Sequence, residues 1–120
     1  MRSKWLNYKG KQIFYQDFSG HDLMDSEPIK AELAAVQAIV VKQPENSVLV
    51  LSDFSDTYLG KDLMDLLVES SKLTKSHVKK TAVLGVRGIK RFLADTLVRM
   101  TGQALSFFDD EEEAKQWLIE

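Results

Sequence analysis

Cysteine is absent from the 120 residues, which excludes disulfides, thiolate metal sites and cysteine nucleophiles. No apolar run approaches the roughly 20 residues that a membrane-spanning helix needs. The opening residues, Met1-Arg2-Ser3-Lys4-Trp5, lack the continuous apolar core of a signal peptide. A soluble, cytoplasmic chain with no membrane span is the expectation. Basic charge is not in excess either: 16 Lys and Arg stand against 18 Asp and Glu, for a formal net charge of −2, and the sequence pI is about 5.7. Nucleic-acid binders usually carry a strongly basic footprint, so no nucleic-acid partner is expected. Only two histidines occur. His21 and His77 both fall in expected loops, and no pattern such as Gly-x-Ser-x-Gly frames a hydrolytic triad. An enzyme, a metal site and a bound cofactor are therefore not expected.

What is there organises around Ser47-Val-Leu-Val-Leu-Ser-Asp53. Four successive aliphatic residues, Val48 to Leu51, show no polar alternation, as in a strand buried on both faces. A chain of this length makes one domain, and it buries roughly two-thirds of its unfolded surface. Upstream, two aromatic-rich runs are separated by Gly10-Lys11 and read as a hairpin, with Ile13, Tyr15 and Asp17 facing one way and Phe14, Gln16 and Phe18 the other. Asp25-Ser26-Glu27-Pro28 signals a helix start. Ile29, Leu33, Val36 and Val40 carry that helix to about residue 42, and Gln43-Pro44-Glu45-Asn46 ends it.

A polar and aromatic loop, residues 53–60, leads into a helix over 61–75. Leu63, Leu66, Leu67 and Ser70 form its stripe, which Met64 and Val68 widen. The widened stripe reads either as a deeply buried helix or as a subunit contact. A second buried strand spans 79–86, a further helix 89–101 with Gly102 as its stop, and a short strand 104–108. Asp109 or Asp110 then caps a last helix, with Glu112 or Glu113 at the capping-box position. The acidic run 109–113 suits a helix N-terminus and requires no metal. The order is ββαβαβαβα: an α/β domain with one mixed five-stranded sheet, parallel in its centre, and four helices.

Three segments together resemble a known family: Val48-Leu-Val-Leu-Ser-Asp-Phe-Ser-Asp, Thr81-Ala-Val-Leu-Gly-Val-Arg-Gly-Ile-Lys-Arg-Phe, and the ending from Thr101 to Leu118 with its Phe-x-x-x-x-x-Ala-x-x-Trp-Leu pattern. The chain resembles the SpoIIAA-like family, relatives of the STAS domain (sulfate transporter and anti-sigma factor antagonist), over nearly its whole length. That resemblance implies a STAS-type fold. It also implies a loop, after the central strand, where anti-sigma antagonists carry Asp-Ser-Ser-Gly with a phosphorylated serine. Aligned on Gly60, this chain has Thr57, Tyr58 and Leu59 there, so the phosphoserine switch does not carry over. The family further shares a general resemblance to lipid-binding domains of the CRAL-TRIO type.

Candidate sites follow from residue chemistry. Gly85-Val86-Arg87-Gly88 stands at a strand-to-helix junction, where free amides with Arg87, Lys90 and Arg91 would attract an anion. Otherwise the glycines serve a tight turn. Asp53, Asp56 and Asp62 lie near the carboxyl end of the central strand, with Ser55 and Thr57 beside them; open α/β sheets hold ligands there. Those carboxylates either bind a hard cation or shape the loop. Trp5, Tyr8, Phe14, Tyr15 and Phe18 either line an apolar pocket or cover a core. The expectation is a non-enzymatic STAS-like interaction or regulatory module. It would bind a protein partner, or itself, through an edge strand or the Met64–Val68 face. The alternative is a binder of a small anionic or lipid-like ligand, using Arg87, Gly88, Lys90, Arg91, Asp53, Ser55 and Thr57.

Overall fold

A computed structural model describes residues 1–20, 27–58, 60–86, 95, 99, 102 and 105–120. The hairpin forms as expected, from β1 (Lys4–Tyr8) and β2 (Lys11–Asp17). Tyr8 pairs with Lys11, so the connection is two residues, Lys9 and Gly10, at φ 50° and 84°. Two left-handed residues in a row are what a type I′ turn requires, and its twist matches that of the strands it joins. Helix α1 (Glu27–Val40) begins where Pro28 loses nothing by lacking an N–H. The expected caps Asp25 and Ser26 lie outside the described residues.

The central strand, β3 (Val48–Asp53), is buried up to Ser52 and half-buried at Asp53. Helix α2 (Lys61–Thr74) and β4 (Val78–Leu84) follow. The fourth strand stops two residues earlier than its apolar run suggests, because Gly85 turns to φ +81°. Val86 is nevertheless buried. Then come β5 (Leu105–Phe108) and α3 (Glu111–Ile119). Of the two candidate caps it is Asp110 whose carboxylate accepts from the Glu113 N–H, at 2.9 Å. Three helices are formed among the described residues. The further helix predicted over 89–101 lies outside them except for Asp95 and Arg99.

The strands assemble in the order β1-β2-β3-β4-β5. The first pair is antiparallel and the other three pairs are parallel. The sheet is thus mixed, and the hairpin sits at one edge with β1 outermost. Strand alternation divides the core in two. Phe14, Val48, Val50 and Val83 point to the face covered by α1 and α2. Ile13, Leu49, Leu51, Ala82 and Leu84 point to the other, where Ala114 and Leu118 of α3 close over them. No described helix is long and apolar enough to cross a membrane.

Candidate functional site

Parallel strands bring their carboxyl ends to one edge, and the register here is level. Asp17 pairs with Asp53, Asp53 with Leu84, and Leu84 with Phe108. Backbone bonds extend this alignment past the strands: the N–H groups of Phe18, Gly20 and Phe54 donate to the carbonyls of Asp53, Ser55 and Leu84 at 3.0, 2.8 and 2.9 Å. An open depression of about 470 Å³ results, lined by Asp53, Ser55, Asp56, Gly85, Asp109 and Glu111 around Leu84.

Asp53 is anchored by its neighbours. Asp53 accepts from the Tyr15 hydroxyl at 2.7 Å through one oxygen and from the Ser55 N–H at 2.9 Å through the other. Burial pushes the Tyr15 phenol well above its ordinary value, and the hydrogen bond to Asp53 and the charges of Asp53, Asp17 and Glu111 push it further. Tyr15 therefore stays a neutral donor. Asp17 is also engaged, accepting from the Ser19 N–H at 3.1 Å and pairing with Arg2 at 3.0 Å. Thr57 donates its hydroxyl to the carbonyl of Phe18, and at 2 % exposure it is a buried staple of the loop. Gly85 is required for a different reason. A Cβ there would stand 2.5 Å from the Ser55 N and 2.6 Å from its Cα. The loops after β3 and β4 approach too closely for any side chain.

The expected site residues are distributed as follows. Asp53 and Ser55 line the depression, and Thr57 lies behind it. Arg87, Gly88, Lys90 and Arg91 lie outside the described residues. Among the described residues the lining carries four carboxylates and no cation, and no cluster of three or more His, Asp or Glu side chains is arranged to hold a metal. Met64 and Val68 are 9 % and 8 % exposed, and Met64 packs within the core between α1, α2 and the sheet. Together they leave little side-chain surface for a partner. Of the hairpin aromatics, Phe14 and Phe18 are core residues and Trp5, 40 % exposed, is tilted against Phe14.

Two features have no counterpart in the sequence reading. One is the Tyr15–Asp53 pair. The other is Glu32, buried on α1, whose carboxylate accepts from the N–H groups of Arg2 and Ser3 at 3.0 and 2.7 Å. Burial works against its charge, but the Ser3 hydroxyl and those two backbone donors outweigh it and hold the carboxyl below its ordinary value. A signal for Glu32 was present: it stands beside Leu33 within the apolar stripe that runs from Ile29 to Val36. Comparison with protein-family models, curated proteins and solved structures returned no match to this chain.

Proposed function

We propose that the chain is a non-enzymatic, STAS-like interaction module that docks a protein partner through the loop end of its sheet. The three segments quoted above support the kinship. One observation supports the docking end: its described lining carries four carboxylates and no cation, and one of them, Asp53, is held through both oxygens by Tyr15 and the Ser55 N–H. Charge fixed in this way steers and orients a partner of opposite sign, here a basic segment. The burial of Thr57 supports regulation without a phosphorylated residue at that position.

The test is affinity purification from native cells with the wild type and with Asp56→Lys, an exposed position on the rim. A partner recovered by the wild type and lost from the variant supports the reading. One recovered equally by both overturns the use of this end. A second reading, a small-ligand binder, draws on the size of the depression, about 470 Å³, within the roughly 300–1,000 Å³ of small-molecule sites. Its carboxylates favour a cationic group over the anion expected from the sequence. Native mass spectrometry separates the two readings, since a mass lost on denaturation belongs to a ligand.

A further inference from the structure

A second recess lies on the α1/α2 face, away from the loop end. Between the sheet and the two helices is a cavity of about 70 Å³, and polar groups line it within an otherwise apolar core. Ser52 is satisfied there, donating to Gln16 at 3.0 Å. Ser70 and Thr81 are not: they are 8 % and 7 % exposed, and neither hydroxyl has a hydrogen-bond partner among the described residues. No described side-chain polar atom is both wholly enclosed and unpaired, so these two hydroxyls face open space. Outside, a groove of about 280 Å³ runs between α1 and α2. Leu33, Gln37 and Ser70 line both spaces, which are therefore separated by no more than these side chains. Ala34, Ala38, Leu66 and Leu73 give the groove apolar walls, and Leu73 is 58 % exposed; Lys30 and Glu69 also line it, each ion-paired along its own helix with Glu27 and Lys72.

We propose that groove and cavity form one site for a small amphiphile with a neutral, hydrogen-bonding head and an aliphatic tail. The head sits among the Ser70 and Thr81 hydroxyls and the Gln37 amide, and the tail lies along Ala34, Ala38 and Leu73. Neutrality follows from the lining, which has no charged side chain in the inner cavity. An ion taken in there would lose its hydration without a counter-charge, at far greater cost than a hydroxyl that finds partners. The inner volume limits the head to a few heavy atoms, since a single water occupies about 30 Å³ in the liquid. This site is independent of the loop end, and its failure leaves the docking reading intact.

The experiment is an amide NMR titration of the whole chain with 1-octanol, and with octanoate as the charged counterpart. Saturable shifts at Gln37, Ser70 and Thr81 are expected with octanol, and at least tenfold weaker binding with octanoate. Ala38→Trp fills the groove from an exposed helix position and should abolish the octanol shifts. Ser70→Val removes one hydroxyl and should weaken binding at least tenfold. Absence of saturable shifts, equal affinity for octanoate, or unchanged octanol binding in either folded variant would overturn the proposal.

Discussion

The two faces of the sheet are built on different principles. On the α3 face Ile13, Leu49, Leu51, Ala82 and Leu84 meet Ala114 and Leu118 in an apolar layer covered by a helix of nine residues. Lys80 fastens that helix from below, donating to the carbonyls of Trp117 and Glu120 at 3.0 and 3.2 Å. The Trp117 carbonyl also accepts from the Glu120 N–H at 3.3 Å, so Lys80 gives it a second donor and reaches the Glu120 carbonyl at the helix end as well. Among the described residues the opposite face carries two helices of 14 residues, yet it contains the Gln16–Ser52 bond, the hydroxyls of Ser70 and Thr81, the Glu32 carboxylate and a cavity. Polar groups need partners or space, so the second face has both hydrogen bonds and a void. The difference teaches that helical cover does not by itself exclude polar groups or a void in this fold.

That contrast is open to direct attack. The largest effect is expected at Leu51, which is wholly enclosed on the α3 face. Leu51→Ala should cost about 2–5 kcal/mol in urea unfolding, with the loss near the top of that range if the layer cannot collapse. A loss near the bottom would make this face as adaptable as the other. Next comes Glu32→Gln, which replaces charge-assisted bonds of about 1.5–3 kcal/mol each with neutral ones and should lower stability at neutral pH by a part of that. The folded carboxyl lies below its ordinary value of 4.5. Its contribution is therefore present above that pH and fades as pH falls through the folded value. Thermal melts from pH 7 to pH 3 should show the variant losing less stability than the wild type over the acid limb, and parallel curves would contradict the role given to Glu32.

A smaller loss, about 1 kcal/mol, is expected for Ser52→Ala, which removes one buried hydrogen bond and leaves the Gln16 amide oxygen to find another donor. The smallest belongs to Ser70→Ala. Its hydroxyl opens onto the cavity without a partner, so the change should stay within about 0.5 kcal/mol. Chemical denaturation of these two variants side by side sharpens the comparison, because similar losses would mean that the Ser70 hydroxyl is held as firmly as that of Ser52.

Much of this architecture was legible in the residues. Alternation in the hairpin assigned Phe14 and Phe18 to one face and Ile13 and Tyr15 to the other, and Val48 to Leu51 announced a strand covered twice. Gly10 marked the hairpin turn, and the two aspartates before Glu111 marked a helix start. The candidate end of the sheet was legible too, since Asp53 and Ser55 follow the buried run directly. Its character was not. Tyr15 contributes to the site through a partner 38 positions away, and whether Asp53 is free or held depends on how β2 aligns with β3. The widened stripe of α2 allowed both burial and an interface; only packing shows Met64 enclosed between helix and sheet.

The sequence by itself determined the elements and their apolar faces, because periods of 2 and 3.6 are properties of a local backbone and each residue's pattern is read against its near neighbours. The tertiary structure alone decided the level alignment of Asp17 with Asp53, the contact of Gly85 with the Ser55 backbone, the attachment of Ser3 to Glu32 across 29 positions, and the void between α1, α2 and the sheet. Each depends on strand register and on the fit of whole surfaces. Those are set when distant segments close on one another, and no local periodicity encodes them.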